Sequence, residues 1–379
     1  MLSANGKLLR AFSEMSSKGR LMAIRTLLLS SAAALMITTG ASAADAIVAA
    51  EPEPMEYVRV CDAFGSGYFY IPGTETCLKI GGYVRFDSNY GENPYSGDHD
   101  GWDAFTRGTL TFDAKSDTEF GTLGSFIELR SDANNVNDTD TYLNAAFIEI
   151  AGFRAGYGDS RYDIWLNSAG NIINDDVIDY TGDRTNQVSY VYGGDVGFSA
   201  LIGLEEGSGT YDTGFAPAPS VSYRGDSFPH VIGGLRYFQE EGTGIAFIGG
   251  YDTKAEAFGG KLRVDVKLND IFGVWVMGGY QSDWDNDNAP GGTRRLNYYG
   301  PWYGDWAAWG GFSAQLSEKA SLNAQAAYEE DGTFAAALNV EYMVTEMLKF
   351  QPELNYTEFD GERGNGSAVG GTIRLQRNF

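Results

Sequence analysis

Apolar and polar residues alternate with a period of two in stretch after stretch of this chain, as they do in β-strands whose two faces meet different surroundings. In "KLRVDVKL", Leu262, Val264, Val266 and Leu268 share one face, and Lys261, Arg263, Asp265 and Lys267 the other. "LKIGGYVRFD" sets Ile80, Val84 and Phe86 against Lys79, Tyr83, Arg85 and Asp87. "SLNAQAAY" sets Leu322, Ala324, Ala326 and Tyr328 against Ser321, Asn323 and Gln325, and "MLKFQPELNY" sets Leu348, Phe350, Leu354 and Tyr356 against Lys349, Gln351, Glu353 and Asn355. Helical periodicity is weak. Beyond residue 43 no apolar run is long enough for a membrane-spanning helix, which takes about 20 residues.

Two architectures put one apolar face opposite one charged face. A soluble sandwich turns the apolar face to its core and the polar face to water. A membrane barrel turns the apolar face to lipid and the polar face to an aqueous lumen. Short turns such as "SEKA" (317–320) and "ND" (269–270) alternate with long polar loops such as 282–304, which favours the barrel. Tyr142, Tyr157, Tyr280 and Tyr356 sit near strand ends, where an interfacial girdle would lie. Seventeen candidate strands can be marked, from 78–87 to 367–379. The candidate at 219–225 follows "APAP" and is the weakest, because proline is confined to strand starts and edges. Without it the pattern predicts a 16-stranded antiparallel transmembrane β-barrel, an even count that leaves both ends of the barrel on one side of the membrane.

The start of the chain supports export. Met22 to Arg25 is a short basic region, Leu27 to Ile37 an apolar one, and "ASA" (41–43) a small-x-small cleavage site. Residues 1–43 are therefore expected to be a signal peptide, its true start at Met22, since residues 1–21 are polar and charged. Residues 44–77 then form a periplasmic arm with a cysteine loop, and 78–379 the barrel. Losing five Lys/Arg and one Glu takes the formal charge from −24 to −28. So acidic a chain has no basic face for nucleic acid. The two cysteines, Cys61 and Cys77, are spaced for a disulfide in an oxidising compartment, and not for a CxxC redox pair or a zinc site.

One connection, residues 161–186, carries Asp163, Asp175, Asp176, Asp179 and Asp183 among Trp165, Leu166, Ile172, Ile173, Val177 and Ile178. A solvated external loop has little use for so many apolar residues. A loop folded inward would bury them against the wall and present its acids to the lumen. Arg85, Arg107, Arg130 and Arg154 fall on lumen-facing phases of four strands, and charges facing each other across a narrow opening set ion selectivity. GxSxG, GxGxxG and P-loop motifs are missing from the sequence, and its histidines, His99 and His230, read as loop residues. Neither an enzyme nor a cofactor is indicated. "DWDNDN" (283–288) lacks the glycine and glutamate spacing of an EF-hand.

The segment 51–87, "EPEPMEYVRVCDAFGSGYFYIPGTETCLKIGGYVRFD", resembles the opening of the mature alphaproteobacterial general porins, the family of Brucella and rhizobial outer-membrane porins. "INDDVI", "PHVIGGLRY", "DWAAWGG" and the final "IRLQRNF" fall where that family has similar segments, so the resemblance spans the mature chain. It implies a homotrimer of 16-stranded barrels in the outer membrane, in contact with lipid and lipopolysaccharide, each passing small hydrophilic solutes passively. It implies an inward-folded third loop, here 161–186, whose Asp163, Asp175, Asp176 and Asp179 face Arg85, Arg107, Arg130 and Arg154 across the constriction. It also implies that Phe379 is an assembly signal read by the barrel assembly machinery, and it raises attachment to peptidoglycan through Ala44. A substrate-specific channel, with Trp165, Trp275 and Trp309 as an aromatic track, and a surface adhesin are the alternatives.

Overall fold

A computed structural model describes residues 58–134, 140–180, 182–207, 228–282, 284 and 297–379, with His99 and Asp100 in backbone only. The expected signal peptide, the arm up to residue 57 and the candidate strand 219–225 lie outside the described residues.

After a two-residue strand β1 (Phe69–Tyr70), sixteen strands follow in chain order. They are β2 (Cys77–Glu92), β3 (His99–Thr118), β4 (Gly121–Ala133), β5 (Thr141–Ile150), β6 (Phe153–Asp159), β7 (Arg184–Tyr192), β8 (Gly197–Glu205) and β9 (His230–Phe238). Then come β10 (Gly244–Asp252), β11 (Ala257–Lys267), β12 (Phe272–Gln281), β13 (Trp306–Ser317), β14 (Ala320–Glu329), β15 (Phe334–Thr345), β16 (Leu348–Phe359) and β17 (Gly366–Asn378). Each pairs antiparallel with its sequence neighbour, and β17 pairs with β2 to close the barrel, Leu375 opposite Phe86. Closure leaves no unpaired edge, the condition for a sheet to sit in hydrocarbon. β2 and β3 run 16 and 20 residues, beyond the expected 78–87 and 104–114, because their polar upper ends continue as a paired hairpin.

The alternation resolves in favour of the barrel. On β16, Leu354 is 67% exposed while its neighbour Glu353 is 3% exposed. A soluble sandwich would reverse this. The same contrast holds for Leu262 against Lys261 and Leu338 against Asn339. Tyr280 and Tyr356 point outward as a girdle requires. Tyr142 does not. Leu143 takes the outward phase, and the Tyr142 hydroxyl donates to Asp132 Oδ2 at 3.0 Å on the inner face.

The short turns and the barrel's two chain ends share one rim, and the long connections share the other. At the short-turn rim Cys61 and Cys77 are disulfide-bonded, with Cα atoms 6.0 Å apart. Their loop docks through Tyr68, whose hydroxyl donates to Asp113 on β3 at 2.5 Å.

Candidate functional site

The third long connection enters the lumen. It opens with a four-residue helix α1 (Arg161–Ile164), capped by Ser160, whose Oγ accepts the Tyr162 amide at 3.1 Å. Beyond it the main chain is held by inward side chains of successive strands. Arg263 donates to Asn167 O at 2.8 Å, Asn339 to Asn171 O at 2.7 Å, Gln325 to Asp175 O at 2.8 Å and Trp309 to Ile178 O at 2.8 Å. Lys261 donates to Tyr180 O. Glu353 accepts the Ile173 and Asn174 amides at 2.6 and 2.9 Å and the Asn174 side chain at 2.9 Å. The loop's apolar residues explain the rest. Tyr162, Trp165, Leu166, Val177 and Ile178 are buried in one cluster with Ile232, Ile248 and Trp309. The inward polar side chains of β11 and β13 to β16 thus satisfy loop amides and carbonyls that would otherwise be buried unpaired.

The four loop acids are not equivalent. Asp176 is exposed and accepts from the Tyr95 hydroxyl at 2.5 Å. Asp163, Asp175 and Asp179 are half-buried. Burial pushes the Asp163 carboxyl up to about 8, against the pull of Lys261. Burial, then the neighbouring Asp176 charge, pushes Asp175 up to about 7, although the Tyr180 hydroxyl donates to it.

The four arginines stand on β2, β3, β4 and β6, and each has a carboxylate beside it, although Arg154 shares Glu149 with Arg161 of α1. Arg85 is 3.3 Å from Asp87, which also takes two hydrogen bonds from Arg374 at 2.7 and 2.9 Å. Arg107 forms a two-point pair with Asp132 at 2.6 and 2.8 Å. Arg130 donates to Glu128 at 2.6 Å, and Arg154 pairs with Glu149. Alternation puts these arginines, and Glu128 and Glu149 with them, on the inner face; which carboxylate meets which arginine is set by strand register.

Glu353 and Lys261, both on the inward phase of their strands, anchor the loop, a role that alternation alone does not assign. A second inserted segment, residues 297–303 between β12 and β13, went unseen. Its Tyr298, Tyr299 and Trp302 are fully buried, and the Trp302 ring lies where a side chain at Gly279 would have to go, 2.7 Å from that Cβ position. Tyr162 donates to Tyr299 O at 2.7 Å, so this segment clamps the root of the loop. His230 is buried at the start of β9, where Nδ1 accepts the Thr253 amide at 3.0 Å, and is not a loop residue. Trp165, Trp275 and Trp309 are all buried, the first two beneath Arg236 and Arg263, so they offer no open aromatic track. Among the described residues no three His, Cys, Asp or Glu converge to hold a metal ion.

Asp175 faces Asp176, Tyr180 and Glu353, and its carboxyl is held above the ordinary value in the docked loop. The docked state therefore favours the proton. Its contribution is complete below about pH 4 and is lost as pH rises through about 7. Loop fluctuations, read as open-channel noise in planar bilayers, should grow between pH 5 and pH 9. Asp175→Asn should reduce that dependence, leaving the share that comes from Asp163.

A closed barrel with an apolar belt outside, a polar wall inside and a loop pinned across the lumen defines an outer-membrane channel. Residues 45–375 match the family described as Porin subfamily. The chain is 44% identical over 375 residues to Porin Omp2b of Brucella suis biovar 1 (strain 1330) and to Porin Omp2b of Brucella abortus (strain 2308), in each case covering 94% of this chain and all of the relative. It belongs to the porin family. Among solved structures, the outer membrane channel DcaP of Acinetobacter baumannii superposes with a TM-score of 0.63 at 17% identity, over 82% of this chain and 99% of that one. Pseudomonas putida OprB superposes at 0.53 and 11% identity, over 80% and 94%, a likeness of fold alone. The protein is a general diffusion porin of the outer membrane, a channel for small hydrophilic solutes and not a catalyst.

Proposed function

We propose that residues 161–186 are the constriction of this channel and that Asp163, Asp175, Asp176 and Asp179 on the loop face Arg85, Arg107, Arg130 and Arg154 across it. The observation that carries this reading is the set of hydrogen bonds between six inward side chains and the loop, five donating to it and Glu353 accepting from it, which hold it as a fixed partition. Water fills the remaining opening, and the partition sets its width.

Selectivity follows from which charges stay uncompensated. The wall arginines share their field with Asp87, Asp132, Glu128 and Glu149, whereas Asp176 is exposed. With the −28 charge expected after cleavage behind it, the opening should favour cations weakly. Reversal potentials in a potassium chloride gradient should show potassium passing more readily than chloride; a clear chloride preference would mean that the arginines dominate.

The working form is a homotrimer whose outer surface meets lipid and lipopolysaccharide, delivered by the barrel assembly machinery through Phe379. Attachment to peptidoglycan through Ala44 is part of the same reading, supported by the Ala-Asp end that cleavage after Ala43 would expose. Unheated gel electrophoresis and muropeptide mass spectrometry test these two; a monomer band, or only an unmodified N-terminus, would remove the corresponding claim.

A further inference from the structure

Beneath α1, at the short-turn end of the lumen, lies a cavity of about 440 Å³. Its lining includes Glu149, Arg154, Arg161, Trp165, Asp195 and Arg236. Three guanidiniums thus meet two carboxylates. Arg154 and Arg161 share Glu149, Arg154 in direct contact and Arg161 at 3.7 Å. Arg236 reaches Asp195 at 2.9 Å, but the Asp195 side chain is 99% exposed, so water screens most of its charge. Arg236 Nε and Trp165 Nε1 are buried donors with no acceptor. Burial, then the crowding of Arg154, brings the Arg161 guanidinium down to about 10. In a chain of charge −24, this corner of the lumen is short of negative charge. Ile164, 40% exposed, adds an apolar surface beside the cations.

We propose that this cavity is a subsite for small organic anions, carboxylates or phosphate monoesters with a compact body, which pause there on their way through the channel. Arg154, Arg161 and Arg236 supply the charge-assisted donors, and the fork of a guanidinium matches both head groups. Ile164 meets the body of the solute. The subsite rests on the reading of the lumen as an open conduit. It adds a solute-specific pause to a channel that otherwise discriminates by size and charge.

Single-channel recording on the purified wild-type protein tests it, with glucose 6-phosphate and succinate as probes and glucose as the neutral control. Both anions should block the current reversibly and saturably, and glucose at equal concentration should not. Arg161→Gln and Arg236→Gln should each raise the half-blocking concentration about tenfold, as expected for loss of one charge-assisted contact. Lys349→Gln, a cation on the inner face of β16 paired with Glu341, should leave it within about twofold. Arg161→Lys keeps the charge and covers a failure of Arg161→Gln to fold; it should weaken block less than the glutamine variant would. A conducting wild-type channel with no saturable anion block overturns the subsite. So does block that Arg107→Gln relieves as strongly as Arg161→Gln. A barrel that conducts nothing overturns the conduit reading itself.

Discussion

Replacing Glu353 by alanine is expected to raise the time the channel spends in closing flickers about 100-fold, without preventing the barrel from forming. Glu353 is 3% exposed and accepts four hydrogen bonds: two loop amides, the Asn174 side chain and, at 2.8 Å, Asn339. Bonds to a charged acceptor contribute about 1.5–3 kcal/mol each, and they do not add fully within one network. A net loss of about 3 kcal/mol in docking is a moderate allowance, and every 1.4 kcal/mol is tenfold in population. Residues 173 and 174 would lose their hold on the wall, while Asn339 and Gln325 still hold the flanking carbonyls of Asn171 and Asp175, and Trp309 and Lys261 hold the loop further along at Ile178 and Tyr180. A tethered loop released at one point swings into the opening and does not leave it. Glu353→Gln, which keeps an acceptor, should show a smaller rise. The measurement is open-channel noise and closing voltage in planar bilayers. Quiet channels from a folded Glu353→Ala protein would mean that the loop is held elsewhere.

Deleting Phe379 is expected to lower the outer-membrane yield about tenfold, whereas Arg377→Tyr should change it less than about twofold. Phe379 completes the seam between β17 and β2: its amide donates to Gly82 O at 3.0 Å, and its carbonyl accepts the Gly82 amide at 3.1 Å. Its ring covers Gly82, reaching 3.2 Å from where a Cβ would stand. Gly82 has φ of +152°, and a Cβ there would meet Thr109 O at 2.0 Å, so only glycine serves in this position. Losing this last pair shortens the closing seam at its rim and uncovers Gly82, so the β17–β2 ladder starts from a frayed end. Arg377 is opposite Val84 on the outward phase, where a long cation near the rim can reach the headgroups. Quantifying folded protein in outer-membrane fractions separates the two variants, and equal yields for the deletion and the wild type would contradict this role for the seam.

Much of this was legible in the sequence, and the reason is geometric. Period-two alternation assigns a face, so it placed Glu353, Lys261 and the four arginines inside and Leu354 and Leu262 outside. Apolar content inside an otherwise polar connection marked 161–186 as a segment needing something to pack against. What alternation does not carry is height and partner. That Arg107 pairs with Asp132 depends on the β3–β4 register, in which the two stand directly opposite. That Asp175 is half-buried while Asp176 is exposed depends on how the loop turns after Glu353 takes its amides. Tyr142 faces inward because phase, not closeness to a strand end, decides which side a strand residue points to. The insertion of 297–303 left no trace in the pattern, because its fit depends on the space left at Gly250, Gly259 and Gly279 on three separate strands.

The position of the loop can be tested most directly with a single thiol at Asp176. Cys61 and Cys77 are the only cysteines and are bonded to each other, so Asp176→Cys introduces the one reactive site. If the loop forms the proposed constriction, adding a charged methanethiosulfonate reagent during single-channel recording should reduce the current in discrete steps, by roughly a third or more per modified channel. Complete labelling, verified by mass, with the conductance unchanged would place Asp176 outside the pathway and contradict a constriction formed by this loop.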